Sequence, residues 1–383
     1  MECDALSSLE FYEFNQRLRE HPIPLSGTLE LTHRCNLGCV HCYCRRPATD
    51  RAASAAEMGL DTIRRIVDEI VQAGCLYLTL TGGEPLVRKD FLEIYDHVRD
   101  KGILVTLFTN GTLITRQLAD YLEKRPPLKV EISLYGATEG TYERITGVPG
   151  SYRQCRRGIS LLLERGISVA VKTPAMTLNK DEIASLQDLA AEMGCPFYYD
   201  LMLHPRLNTM EDRMGPYSFG LSVDEKLRMT VSDRATLDAW QAEYLRLKGV
   251  PRQRTRYKCG AGLHAFFVEP AGSLVMCVNS RWPAYDLASG TFEEGWAFLR
   301  ALRAELAPAD DPCAGCEIYW LCRSCVGRSQ LEYGPQERDE PVEWHCQLAH
   351  ERYNAFVELG MIPASEDPHL STESHRSREL EEK

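Results

Sequence analysis

From Gly27 onward, short apolar runs alternate with longer amphipathic stretches, a pattern that predicts repeated βα units and a parallel sheet. Strands are expected at 28–31, 76–80, 104–108, 129–134, 167–172 and 197–203. Helical periodicity fills the intervals at 61–72, 91–99, 116–122, 152–164 and 182–193. Six such units fit a partial barrel of the α/β class over residues 26–204, with chemistry-bearing groups expected at the C-terminal ends of the strands. Ahead of it, 9–19 reads as a short amphipathic helix carrying Phe11, Phe14 and Leu18, within a lead-in of residues 1–25. Behind it, 205–257 is a less regular bridging region, with a loop at 208–219 over the barrel mouth and a helix at 234–247.

Composition narrows the class. The 383 residues are 44% hydrophobic, ample for two or three buried cores, and no apolar run approaches the roughly 18 residues of a membrane span. The acidic, polar N-terminus does not read as a signal peptide, so a cytoplasmic protein is expected. With 44 basic against 55 acidic residues, a net charge of -11, the chain lacks the electrostatic footprint of a nucleic-acid binder. Fifteen cysteines in such a chain argue for metal ligation, because cytosolic thiols stay reduced.

Three cysteines sit directly after the first predicted strand, in Cys35-Asn-Leu-Gly-Cys39-Val-His-Cys42, spaced C-x3-C-x2-C. Three soft sulfur ligands suit one face of an iron-sulfur cube and leave its fourth iron open; a zinc knuckle is the other reading of the same residues. Strand two ends in Thr81-Gly82-Gly83-Glu84-Pro85, where two glycines allow close backbone approach and Glu84 is a fixed acceptor. Strand three ends in the turn former Thr109-Asn110-Gly111, and strand five carries Lys172, which needs an anion if buried. A second cysteine field reads Cys259-x12-Gly272-x4-Cys277, then Cys313-x2-Cys316-x5-Cys322-x2-Cys325, then Cys346. Seven cysteines exceed one four-ligand site, whether iron-sulfur or zinc ribbon.

With Tyr43 following, the Cys35 to Cys42 motif resembles the cluster motif of the radical S-adenosylmethionine (radical SAM) superfamily, and the resemblance extends from about residue 26 to about residue 350. It implies a six-unit open barrel, a 4Fe-4S cluster on Cys35, Cys39 and Cys42, and S-adenosylmethionine bound at the open iron and cleaved to a 5'-deoxyadenosyl radical. By the same resemblance His41, Tyr43, Gly82, Gly83, Glu84, Ser133, Lys172 and Leu203 contact the cofactor, with Gly82 to Glu84 holding its amino group. Relatives often carry an arginine before the glycine corresponding to Gly147; Thr146 stands there, and Arg144 is the substitute expected to clamp the carboxylate.

The second field, residues 258–350, resembles the SPASM extension, which carries two auxiliary iron-sulfur clusters. The implied ligands are Cys259, Cys277 and Cys325 for the first and Cys313, Cys316, Cys322 and Cys346 for the second. The first is one ligand short, leaving either an open iron or His264 as a fourth ligand. Cys44, Cys75, Cys155 and Cys195 fit neither pattern and read as buried structural thiols. Residues 351–383 complete the chain, with a helix to about 359 and a charged, serine-rich tail expected to be disordered. The resemblance implies hydrogen abstraction from a ribosomally made peptide or protein side chain, with a flavodoxin or ferredoxin as reductant and any peptide-binding domain on a separate partner protein. Alternatives are a dehydrogenase or epimerase of a small molecule, and a non-catalytic iron-sulfur scaffold or sensor. Sulfatase maturation is disfavoured by Val278, where such maturases place an aspartate.

Overall fold

The computed structural model describes residues 22–207, 214–247, 255–308, 311, 313, 316, 318–322, 324–337 and 340–363. The expected lead-in helix at 9–19, part of the 208–219 loop and the 365–383 tail lie outside them. The chain forms two compact units: residues up to Gly220 with Cys259–Glu305, and Leu221–Lys258 with the residues from Leu306 on.

In the first unit six parallel strands follow one another across the sheet: β1 (Ser26–Glu30), β2 (Tyr77–Thr81), β3 (Leu104–Thr109), β4 (Lys129–Ser133), β5 (Val169–Pro174) and β6 (Phe197–Asp200). Their register aligns Leu29 with Leu80, Leu80 with Leu107 and Leu107 with Val130, a buried apolar row across four strands. The helices of eight or more residues between them are α1 (Leu60–Gln72), α2 (Phe91–Asp100), α3 (Arg116–Lys124), α4 (Glu139–Thr146), α5 (Ser151–Leu163) and α6 (Ile183–Glu192). Apolar spacing fixes which face each buries: α1 buries Ile63, Ile66, Val67 and Ile70, and α2 buries Phe91, Ile94, Tyr95 and Val98. Because side chains alternate along a strand, Leu80 and Leu107 turn away from the face to which Thr81 and Phe108 contribute.

The six expected strands and five expected helices are all present, with ends shifted by up to three residues. Helix α4 has no counterpart among the expected elements; Gly140 interrupts its apolar period, and Thr138 caps it through the Thr141 N–H. Strand β6 stops at Asp200, so Leu203 lies beyond the strand, although it is buried.

The sheet does not end at β1. Strand β7 (Ala265–Val268) pairs in parallel with its outer edge, and β8 (Ser273–Val275) and β9 (Tyr285–Asp286) continue antiparallel. Residues 259–305, expected within one domain spanning 258–350, therefore fall in the same compact unit as the barrel strands. Gly272, the glycine between Cys259 and Cys277, closes the β7–β8 hairpin at φ +93°, a conformation that strains any side-chain-bearing residue. Cys259 and Cys277 flank that hairpin. The helix Phe292–Ala304 opens with a complete capping box, Thr291 with Glu294.

The second unit is helical: Val223–Ser232, Arg234–Leu247, Tyr319–Cys322, Val326–Tyr333 and Glu343–Glu358. The expected helix at 234–247 is present, whereas the last one begins eight residues before 351. Its core joins Leu237, Ile318, Leu321, Ala349, Tyr353, Phe356 and Ile362, with Cys316 and Cys322 packed against it. Among the described residues no helix is long and apolar enough to cross a membrane.

Candidate active site

The C-terminal ends of the barrel strands surround a cavity of about 400 Å3. Its walls include Cys35, Cys39, Cys42, His41, Tyr43, Gly82, Gly83, Ser133, Lys172 and Leu203. Ten of the residues assigned to cluster or cofactor by resemblance thus meet in one place. Glu84 and Arg144 do not line it.

The cysteine loop is held by backbone bonds from outside itself. The N–H groups of Gly38 and Val40 donate to the carbonyls of Thr146 and Ile145 in the last turn of α4, at 2.8 and 3.0 Å. Thr146, where relatives carry an arginine, is buried and meets Ser151 Oγ at 2.8 Å. Arg144 is exposed on the same helix, and its guanidinium donates to the Leu178 carbonyl at 3.0 Å, so the expected carboxylate clamp is corrected to a surface contact. A helix-end charge points to the nearest free carbonyl, and here that carbonyl lies away from the cavity.

Gly82 and Gly83 meet the chain as closely as they meet the cavity. A Cβ on Gly83 would stand 2.6 Å from the His33 and Arg34 carbonyl oxygens, and one on Gly82 2.5 Å from that of Thr32. Their smallness lets the stretch leading into Cys35 lie on the end of β2, fastened by Gly83 N–H to Thr32 O at 2.6 Å and Glu84 N–H to Arg34 O at 2.9 Å.

Glu84 is held by the chain itself. Its carboxylate is fully buried and accepts from Thr109 Oγ1 at 2.8 and 2.9 Å, from the Asn110 N–H at 2.7 Å and from the Leu86 N–H at 3.1 Å. Burial pushes its pKa up to about 7 against these three donors. Three donors take up most of the roughly four acceptor sites of a carboxylate. Glu84 thereby fixes the end of β3. What it positions is Asn110, whose Nδ2 donates to Asn36 Oδ1 at 2.9 Å and stands 3.6 Å from Cys35 Sγ.

The thiols themselves sit in a low-dielectric wall. Burial raises Cys35 to about 12, with the Glu84 charge adding to it, and also raises Cys39 well above the ordinary thiol range. Cys42 goes the other way, lowered first by a hydrogen bond with Cys44. His41 is pushed down to about 4 by burial, so it is neutral; its ring meets Tyr135 edge-on at 4.8 Å, and its buried Nδ1 has no hydrogen-bond partner. Lys172 finds the anion it needs in Glu131, 3.0 Å away, and lies 2.9 Å above the centre of the Phe108 ring. Burial lowers it to about 8 although Glu131 opposes the shift.

Tyr43 opens a buried network that sequence reasoning missed. Its hydroxyl donates to Glu30 at 3.2 Å; Glu30, fully buried at the end of β1, also takes Arg281 at 3.1 Å and His33 at 3.1 Å. Burial works to raise the Glu30 carboxyl, and the His33 and Arg281 bonds outweigh it and hold it below the usual carboxylate range. Arg281 continues to Glu269 at 2.6 Å, tying the segment that follows Cys277 to the cofactor cavity wall. The one legible signal was a glutamate inside an apolar strand.

In the second field, Cys313, Cys316, Cys322 and Cys346 all line one small cavity with Ile318, Tyr319, Val342 and Ala349. Cys325 lines a different one, with Arg256 and Lys258. Burial and neighbouring thiol charges push Cys313 up to about 11 and Cys322 up to about 12. Thiols that disfavour one another's ionisation are relieved by a shared cation, so this donor set fits a metal cluster. Cys259 and Cys277 belong to the first unit, and the ring of His264 packs against Gly260 beside Cys259.

The donor set of the first field also fits the cluster its motif implies. Three thiols share a wall with two backbone-exposing glycines and an unpartnered imidazole nitrogen. Among the described residues no three His, Cys, Asp or Glu side chains converge on a single-ion position. A cube takes one thiolate on each iron and suits that spread.

Residues 29–193 match the radical SAM superfamily, and the chain carries a radical SAM domain. Among its relatives is the AdoMet-dependent heme synthase of Methanosarcina barkeri, 27% identical over 330 residues, covering 82% of this chain and 94% of the relative. The mycofactocin maturase MftC of Mycolicibacterium smegmatis is 27% identical over 338 residues, covering 83% and 82%. Among solved structures, Streptococcus suis SuiB bound to its precursor peptide SuiA superposes with a TM-score of 0.64 at 18% identity, covering 91% of this chain and 84% of SuiB. That likeness shows the partial-barrel fold.

Proposed function

We propose that this radical SAM enzyme modifies a peptide, abstracting hydrogen from a side chain that enters the cavity from solvent. The observation that carries the reading is the meeting of Cys35, Cys39 and Cys42 with Gly82, Gly83 and His41 around one cavity. When bound there, the cluster supplies the electron that cleaves S-adenosylmethionine to a 5'-deoxyadenosyl radical. The three thiolates hold it, the Gly82-Gly83 backbone offers the cofactor polar groups, and the unpartnered Nδ1 of neutral His41 accepts a hydrogen bond from the nucleoside end. Lys172 offers a cation to an anionic group of cofactor or substrate. Buried walls around the cavity exclude water from a radical that would otherwise be quenched. Cys313, Cys316, Cys322 and Cys346 hold an auxiliary iron-sulfur cluster in the second unit. Electrons come from a flavodoxin- or ferredoxin-class protein.

Support for a peptide comes from MftC, a maturase by name, and from size. A cavity of about 400 Å3 lies near the small end of the ~300–1,000 Å3 usual for small-molecule sites, and the cofactor must share it. That leaves room for a side chain. The second reading is a small-molecule substrate, favoured by the heme synthase relative, which matches at the same 27% identity over 94% of its length.

Anaerobic incubation with reductant, S-adenosylmethionine and a short peptide encoded beside the gene, read by mass spectrometry, tests the proposal. A mass change in the peptide with matching 5'-deoxyadenosine supports it. Turnover of a tetrapyrrole with the peptides untouched replaces it with the second reading, and no 5'-deoxyadenosine under any condition rejects both.

A further inference from the structure

Two thiols of the first cysteine field, those of Cys35 and Cys42, have a hydrogen-bond partner at the sulfur. Asn110 Nδ2 stands 3.6 Å and the Leu37 N–H nitrogen 3.3 Å from Cys35 Sγ. Cys44 is buried, lines the same cavity and places its Sγ 4.0 Å from Cys42 Sγ.

Chemistry settles the direction of these bonds. Between two free thiols either sulfur can donate. Once Cys42 ligates iron it is a thiolate with no hydrogen to give, and Cys44 must be the donor. The amide orientation of Asn110 is fixed as well. Its Oδ1 accepts from the Thr112 N–H at 2.9 Å and from Thr112 Oγ1 at 2.6 Å, so Nδ2 faces Cys35, while Glu84 holds its backbone N–H.

A hydrogen bond to a ligand sulfur draws charge from the cluster and favours its reduced, more negative state, so it raises the reduction potential. We infer that Asn110 and Cys44 are positioning residues that set the reduction potential of the cluster on Cys35, Cys39 and Cys42, by donating to the sulfurs of Cys35 and Cys42. The inference rests on the radical SAM reading and adds to it, since Cys44 has no place in the C-x3-C-x2-C spacing. It also gives the buried Glu84 a task, which is to hold the donor of Cys35 in place.

The test is a redox titration of the reconstituted full chain, followed by electron paramagnetic resonance with and without S-adenosylmethionine. The signal that responds to the cofactor is that of the cluster with the open iron. Cys44→Ala and Asn110→Ala are each expected to move its midpoint to more negative potential at parental iron and sulfide content, and the double variant further. Cys44→Val removes the donor without opening a cavity, should the alanine variant not assemble, and Cys44→Ser, which keeps a donor, is expected to restore part of the shift. A merely structural role would change iron content or melting temperature and leave the midpoint alone. Parental midpoints in the Cys44→Ala or Cys44→Val protein overturn the inference while the radical SAM reading stands. A parent protein whose spectrum ignores S-adenosylmethionine overturns both.

Discussion

Around Cys35, Cys39 and Cys42 two of the three sulfurs have a hydrogen-bond partner, and the wall runs on into a cavity of about 400 Å3 with polar groups at its rim. Around Cys313, Cys316, Cys322 and Cys346 the walls are Ile318, Val342 and Ala349, and two of the thiols pack on the core of the second unit. On the proposed reading, three ligands beside space would leave an iron free for a cofactor, and four ligands in an apolar shell would complete the coordination and make the metal part of the core. The number of cysteines matters less than what the remaining space around them contains.

The largest effect separates the two fields. Replacing Cys35, Cys39 and Cys42 together by alanine should abolish 5'-deoxyadenosine while iron falls only in part. Replacing Cys322 and Cys346 should instead lower the melting temperature and remove the iron of the second unit, with S-adenosylmethionine still bound. Iron and sulfide analysis, calorimetry and a binding titration read the two variants side by side, and complete loss of iron in either one breaks the distinction.

Next comes the scaffold of the open site. Arg281→Met leaves the fully buried Glu30 without its guanidinium, and breaking such a pair costs about 3–5 kcal/mol. Denaturant unfolding should report that loss, together with weaker cofactor binding because Tyr43 shares Glu30. An unchanged midpoint would mean that His33 and Tyr43 suffice.

A smaller effect is carried by pH. Lys172 sits near 8 in the folded protein against an ordinary 10.5, so the native state sheds this proton first. Between these values the unfolded chain binds more protons, and stability contributed at this site rises with pH. The parent should gain stability relative to Lys172→Met from about pH 8 toward 10.5, measured by urea unfolding on either side of pH 8. A constant difference would show that Lys172 keeps its proton. The smallest effect is expected from Arg144→Ala, which removes one exposed bond to a carbonyl and should stay within about 0.5 kcal/mol with unchanged cofactor affinity.

The amino-acid sequence by itself determined the order of strands and of most helices in the barrel and the two cysteine fields, and through its resemblance it singled out ten residues that line one cavity. Those are local signals: a period of two or 3.6 residues and the spacing of soft ligands survive in any window of the chain. Only the tertiary structure decided that β7 joins the outer edge of β1, that Glu84 turns inward to Asn110, that Arg144 faces solvent and that Arg281 neutralises Glu30. Asn110 reaches Cys35 across 75 positions and Arg281 reaches Glu30 across 251. A buried polar group must find a partner, but its composition names only the kind of partner; which residue comes within about 3 Å is decided by how the whole sheet closes.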